Sequence, residues 1–309
     1  MKVLVTGATG FIGRPVVQQL REAGFEVRIA SRHREPTSDA VLLPDPDAPA
    51  EAFLAIMQDV THVVHCAALN NDRNASDADY LKANAELTGR LARAAALQAG
   101  GRFIYLSSIR AVAGPGFSGT IGETTTPAPQ CAYGRSKREG EIRTLDAYRS
   151  AGRSDAAMLR LPPVHGEGMK GNLAALMRLA DTALPLPTAA LTGVRSLISC
   201  EAAARAVLHL LARDTPLDPI YVAGDHRPSR ISEIITAFRR GFERPVRLFS
   251  MPGAPMRAAE SLLGKGNAWE TMTATQICDP SLLVSQGWAP ETDTLEQLAE
   301  MARRSRFGA

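Results

Sequence analysis

The sequence predicts an α/β fold, a doubly wound parallel sheet followed by a smaller mixed unit. Three observations carry that reading. Short β-branched segments alternate with helical patterns through the first half of the chain. A glycine-rich turn follows the first of these segments, and the alternation gives way to proline- and glycine-rich stretches after about Gly166. Strands and helices in alternation form right-handed βαβ units, whose parallel sheet is covered on both faces.

The elements follow in order. Val3, Leu4 and Val5 read as a buried strand and Pro15–Leu20 as the opening of a helix. Phe25–Ser31 is a second strand, Val41–Leu43 a short third, and Ala48–Met57 a helix. Thr61–Leu69 is a fourth strand and Asp77–Leu97 a long alanine-rich helix. Arg102–Ser108, the helix Tyr133–Arg149 and the strand Ala156–Leu161 complete the first unit, 1–166. Residues 200–224, with a helical pattern at Glu201–Ala212 and a strand at Pro219–Gly224, are expected to return to it. The remainder of 167–309, with prolines at Pro185–Pro187 and Pro252–Pro255 and with Trp269 and Trp288, is expected to form the smaller unit.

Composition narrows the class. Of 309 residues, 45% are hydrophobic and 22% charged, as in an ordinary globular protein. The net charge of +3, from 35 basic and 32 acidic residues without a long basic run, gives no footprint for nucleic acid. Four scattered cysteines, Cys66, Cys131, Cys200 and Cys278, form no C-x-x-C pair and predict reduced thiols. No apolar run approaches the roughly 18 residues that span a bilayer, and the chain opens on a strand without a leader. A cytoplasmic protein is expected.

In "TGATGFIG", Gly7, Gly10 and Gly13 recur every third residue between strand and helix. Glycine there supplies positive φ and close approach, and the helix start offers unpaired N–H groups to a pyrophosphate. An ordinary glycine-rich βα turn is the alternative. With Thr9, Phe11 and Ile12, these residues form the candidate cofactor turn. The second strand ends "IASRHRE", so Ser31 and Arg32 stand where a carboxylate would read a free ribose 2′-hydroxyl, with Arg34 close by. A guanidinium forks onto phosphate, which favours NADP over NAD; a solvated loop end is the other reading.

"YLSS" ends the fifth strand with Ser107 and Ser108, and "YGRSK" places Tyr133 and Lys137 at i, i+4 on one helix face. A tyrosine titrating at about 10 becomes an acid/base at neutral pH only if neighbouring positive charge lowers it. Tyr-x-x-x-Lys also arises by chance. Glu139 and Glu141 read as solvated carboxylates on a polar face, and the histidines, His62, His65 and His165 among them, show no metal-ligand spacing.

The ordered set is specific. A glycine-rich turn, paired serines and Tyr133-x-x-x-Lys137 together resemble the short-chain dehydrogenase/reductase superfamily. "TGATGFIG", "LRLPPVHGEG" and the length resemble its extended branch, the NAD-dependent epimerase/dehydratase family. The resemblance covers nearly the whole chain and looks closest to nucleotide-sugar 4-epimerases and 4-keto-reductases. It implies a Rossmann-type dinucleotide-binding domain at 1–166 and a substrate-binding domain beyond. It implies Tyr133 as catalytic acid/base and Lys137 as the residue that bonds the nicotinamide ribose and tunes Tyr133. It also implies one serine on the reacting oxygen and Asn84 holding a water of the proton relay.

Counting back from Gly114 puts Ile109 at the serine position; counting from the strand end gives Ser108, which can hydrogen-bond. Ser107 stays an alternative and a cofactor contact. The resemblance further implies Asp45 near the adenine, Ala67 and Ala68 beside the cofactor backbone and Pro162 in the nicotinamide pocket. Asn172 and Arg195 match positions at the nucleotide diphosphate; for Arg195 a structural salt bridge is equally open. The family's dehydratases carry Asp-Glu after the active-site hydroxyl, where this chain has Ile109 and Arg110, so dehydration is disfavoured.

The expected activity is reduction of a nucleotide-linked 4-keto sugar. A 4-epimerase with retained NAD is the alternative, and a non-sugar ketone or a non-catalytic NADP-binding regulator stands further off. A homodimer through the helices of Asn84 and Tyr133 is expected.

Overall fold

Alternating side chains on the first strand decide how the two faces of the sheet are covered. In the computed structural model, which describes residues 1–33, 39–70, 74–188, 191–250 and 272–308, β1 (Lys2–Thr6) sends Val3 and Val5 to one face and Leu4 to the other. Seven strands form an all-parallel sheet in the order β3-β2-β1-β4-β5-β7-β11. They are β1, β2 (Glu26–Ser31), β3 (Ala40–Leu42), β4 (His62–His65), β5 (Phe103–Ser108), β7 (Ala156–Leu161) and β11 (Ile220–Val222). The order reverses between β1 and β4, which opens a crevice at the carboxyl ends of the strands.

Helices α1 (Gly13–Glu22) and α7 (Cys200–Ala212) cover the Val3/Val5 face, with Val16, Leu20, Val207 and Leu210 buried. Trp288, expected in the second unit, instead packs into this first core; Pro252–Pro255 and Trp269 lie outside the described residues. Helices α2 (Ala50–Ile56), α4 (Leu87–Gln98) and α5 (Ala132–Ser150) cover the other face through Phe53, Leu91 and Tyr148. Each buried large apolar side chain contributes about 1.5–3 kcal/mol.

A third core joins α6 (Gly171–Ala180), α8 (Ile231–Gly241) and the last helix, Thr294–Phe307, through Leu173, Ile234, Phe238 and Leu298. A small mixed sheet runs β12 (Ser229–Arg230), β9 (Val194–Arg195), β13 (Gln276–Cys278), β6 (Gly119–Ile121). It carries Arg195 and Gln276 side by side.

Two expected elements differ. The fourth strand ends at His65, and residues to Leu69 form a loop. The long helix expected from Asp77 is broken into α3 (Asp77–Leu81), a π-turn at Lys82–Glu86 and α4. No helix among the described residues is long and apolar enough to cross a membrane.

Candidate active site

Sheet, glycine turn and α5 converge at the carboxyl ends of β1, β4 and β5. Gly7 adopts φ +66°, and a Cβ there would lie 2.6 Å from the Ala67 nitrogen; a Cβ on Gly13 would lie 2.0 Å from the Gly7 carbonyl. Only glycine lets the turn close so tightly over the loop after β4. Thr9 and Gly10 are exposed, Phe11 and Ile12 half-buried, and α1 begins with no side-chain cap. An open, uncapped helix start behind a glycine turn fits a dinucleotide pyrophosphate.

The floor of this turn is a buried polar chain. The Thr6 hydroxyl bonds His65 Nδ1 at 2.6 Å and accepts from the Ala67 N–H at 3.2 Å. His65 Nε2 meets Thr88 Oγ1 at 2.9 Å, and burial pushes the imidazole pKa down to about 3. Ala67 is half-buried and Ala68 exposed beside the turn.

At the end of β2, Ser31 accepts from the His33 N–H at 3.3 Å, and Arg32 is exposed. Arg34 lies outside the described residues. Asp45 is exposed, accepting from the Asp47 N–H at 3.0 Å and lying 3.4 Å from Lys82.

The serines divide cleanly. Ser107 is buried and donates to Glu141 Oε1 at 2.6 Å, away from the crevice. Ser108 caps a short 3₁₀ turn at Ile109–Ala111, accepting from the Arg110 N–H at 3.1 Å, and its hydroxyl lies near enough to Tyr133 to act on that group's pKa. Ile109 is buried in a separate apolar cluster. Tyr133 and Lys137 stand on the first turns of α5, whose start the Cys131 thiol caps by accepting from the Gly134 N–H. Two glycines let α5 approach: a Cβ on Gly134 would meet the Arg110 carbonyl at 2.3 Å, and one on Gly140 the Asn84 carbonyl at 2.7 Å.

Burial pushes the Tyr133 hydroxyl up to about 12, while Ser108 and the Arg110 charge act to lower it. Burial pushes Lys137 down to about 7, opposed by Glu141 and Cys66. The Lys137 ammonium donates to the Leu106 carbonyl at 2.5 Å and lies 4.1 Å over the Tyr105 ring. The expected tuning of Tyr133 by Lys137 is therefore not set up by a direct bond between the two. Burial decides both groups.

Asn84 sits fully buried in the π-turn. Its side chain accepts from the Leu69 N–H at 2.7 Å and donates to the Leu69 carbonyl at 2.9 Å and Ser136 Oγ at 3.0 Å. These bonds engage both amide hydrogens and the amide oxygen on protein groups. Pro162 is buried at the end of β7, Asn172 is exposed on the first turn of α6, and Arg195 is buried on β9.

Glu141 was misjudged from sequence, and the structural role of Arg110 was missed. Glu141 is fully buried, with Arg160 donating from Nε to Oε1 at 2.9 Å and from Nη2 to Oε2 at 2.8 Å. Burial works to raise its carboxyl, but Arg160, Ser107 and Arg138 outweigh it and hold the pKa below the ordinary value. The missed signal is spacing: Glu141 lies one turn beyond Lys137 on the same inward face. Arg110, excluded only as an acid or base, points its guanidinium to the Gln276 Oε1 at 3.2 Å and the Ala113 carbonyl at 3.3 Å. Burial, reinforced by the like charge of Arg110, brings Arg195 down to about 10. Among the described residues no cluster of side chains could hold a metal ion.

The chain is similar to known proteins along its whole length. It is 27% identical to UDP-glucose 4-epimerase of Vibrio cholerae over 310 residues, covering 97% of this chain and 94% of that protein. It is 26% identical to dTDP-6-deoxy-L-talose 4-dehydrogenase (NAD(P)(+)) of Kitasatospora kifunensis over 317 residues, 97% and 94% of the two chains. The crystal structure of Thermus thermophilus UDP-glucose 4-epimerase in complex with NAD shares the fold at TM-score 0.75 and 21% identity, covering all of both chains. The profile of the NAD dependent epimerase/dehydratase family matches residues 3–224, which span the glycine turn, Ser108, Tyr133 and Lys137. The parallel sheet with its crevice is thus the Rossmann-like core of an extended short-chain dehydrogenase/reductase, and the chain belongs to the NAD dependent epimerase/dehydratase family.

Proposed function

We propose that this chain catalyses hydride transfer at C4 of a nucleotide-linked hexose, running as the reductase of a 4-keto sugar. The observation that carries this reading is the placing of Ser108 close enough to Tyr133 to lower its pKa at the carboxyl end of β5, with Lys137 one turn on. Both hydroxyls would bond the C4 oxygen, and Tyr133 would give it a proton. Burial keeps Tyr133 protonated, the form a ketone reduction needs. A bound nicotinamide dinucleotide supplies the hydride.

The glycine turn with Thr9, Phe11 and Ile12 would hold the pyrophosphate, Lys137 the ribose, and Asp45, Ala67, Ala68 and Pro162 the flanks of the cofactor, while Ser107, turned onto Glu141, would take no part. Ser31 and Arg32 would take a 2′-phosphate, which makes NADP the favoured form. Asn172 and Arg195 would meet the substrate diphosphate. The likeness to a 4-dehydrogenase named for NAD(P)(+) supports net redox chemistry at C4. A 4-epimerase is the second reading, favoured by the Vibrio cholerae relative. The outer face of α4 and α5, where Leu97 and Ile142 are exposed, suits a homodimer contact.

The test is titration with NADPH and NADH, followed by nicotinamide fluorescence, in the wild type and Arg32→Ala. An NADPH preference that collapses in the variant supports the reductase. NAD that co-purifies without exchanging supports the epimerase, and binding of neither ends the enzymatic reading.

A further inference from the structure

Eleven large apolar side chains stand exposed among the described residues, and five of them gather at one end of the molecule. Leu179 and Leu184 come from the end of α6 and the loop behind it, Val246 and Phe249 from the segment after α8, and Phe307 from the end of the last helix. Leu184 is 69% exposed and Phe307 54%.

Hydrogen bonds tie these segments together. Leu186 and Leu248 form a parallel bridge; the Leu186 N–H donates to the Arg247 carbonyl at 2.9 Å and the Phe249 N–H to the Leu186 carbonyl at 3.0 Å. Buried Arg239 pins both chains, donating to the Leu184 carbonyl at 2.5 Å and the Pro245 carbonyl at 2.8 Å. Asp181 lies 3.2 Å from Arg244 and 3.6 Å from Arg306, which brings in the last helix.

Charge collects at the same end. Residues 178–187, 239–249 and 300–307 hold eight arginines and three acidic residues, so the surplus here exceeds the net +3 of the whole chain and the remainder is net negative. Two of the acids are committed, Asp181 to Arg244 and Arg306, and Glu300 to Arg303 and Arg304; Glu243 is the third. Exposed Arg240 and Arg247 have no carboxylate within ion-pair distance among the described residues, and Arg247 stands between Val246 and Phe249 in the chain.

Single exposed apolar side chains are ordinary, whereas several set among unpaired arginines fit a surface that is apolar inside and anionic at its rim. An anionic bilayer has that profile: apolar side chains enter the acyl boundary while cations meet the lipid phosphates. A second copy of this face fits poorly, because the two sets of arginines would oppose each other. Aliphatic Leu184 and Val246 offer nucleic-acid bases no ring to stack on. We propose that Leu184, Val246, Phe249 and Phe307, with Arg240 and Arg247, dock this protein peripherally on an anionic lipid surface. The proposal is independent of the reaction assigned to Ser108 and Tyr133.

The experiment is flotation of the full chain with vesicles of phosphatidylcholine alone or with about one-third phosphatidylglycerol, at about 50 and about 500 mM salt. The wild type is expected to float with the anionic vesicles only, more weakly at high salt but still measurably, since apolar insertion is not screened. Arg240→Gln and Arg247→Gln should each weaken binding about fivefold. The double change Val246→Ser and Phe249→Ser should remove the part that survives high salt. Thermal unfolding at the wild-type midpoint in each variant shows that a loss is not misfolding. Failure of the wild type to float with anionic vesicles overturns the proposal. So does flotation that none of these substitutions weakens, which would place the contact elsewhere. Binding that vanishes at high salt and ignores the serine changes is bare charge adsorption and overturns it as well. A short RNA duplex bound more tightly than the vesicles, or a dimer lost in the serine variant, would give the face to nucleic acid or to a second copy instead.

Discussion

Glu141 and Arg160 face each other with both side chains fully buried, joined by two hydrogen bonds of 2.9 and 2.8 Å between α5 and β7. The pair ties the helix of Tyr133 to the strand beside β5, and Ser107 completes it. Removing one partner leaves the other as an uncompensated buried charge. We predict that Glu141→Ala loses about 3–5 kcal/mol of stability, measured by urea denaturation. A loss under about 1 kcal/mol would show that the pair is dispensable.

Tyr133→Phe removes the hydroxyl that Ser108 meets on α5 without changing the packed ring, which touches Tyr80 edge-on at 6.4 Å. Turnover should fall by roughly 10²–10⁴-fold, with nicotinamide binding unchanged. Steady-state rates alongside the fluorescence titration check this, and unchanged turnover would remove Tyr133 from the chemistry.

His65 makes stability depend on pH. Its folded pKa is depressed to about 3, so below the ordinary 6.5 the unfolded chain binds a proton the folded one refuses. Stability is full above pH 6.5 and falls as the pH drops toward 3, by about 2 kcal/mol from this group at pH 5. Burial lowers His62 as well, in the same direction. Urea midpoints between pH 7 and 5 should therefore slope less in His65→Asn than in the wild type. Equal slopes would place the acid sensitivity elsewhere.

Gly134→Ala drives a methyl group to 2.3 Å from the Arg110 carbonyl, a backbone atom that cannot rotate away. The start of α5 must shift, and Tyr133 with it. We expect a stability loss of roughly 1–3 kcal/mol together with a fall in kcat, read from thermal unfolding and rates on one preparation. Full activity in a stable variant would contradict the close approach.

The sheet was legible because strands and helices announce themselves by period: Ala156–Leu161 was read with both ends in place. Ser108, Tyr133 and Lys137 were read as an ordered set, with Ser108 preferred and Ser107 left as the alternative. The side to which each hydroxyl turns, Ser107 onto Glu141 and Ser108 onto the 3₁₀ turn, is not written in their spacing. Glu141 was misread because a charged residue on a charge-rich helix looks solvated until a partner from a distant strand is known. The π-turn at Asn84 adds a residue to a helical pattern without changing its composition, so no periodicity reveals it. Two-residue strands such as β9 and β12 have no period at all to read. Arg195 and Gln276 become neighbours only through the pairing of their strands.

The Asn84 clamp has a mechanical consequence. One amide grips Leu69 through both backbone atoms and Ser136 on α5. The loop after β4 and the helix bearing Tyr133 are thereby coupled. Displacement of either carries the other, so the spacing between Leu69 on that loop and Ser136, one turn from Tyr133, is preserved through the motion.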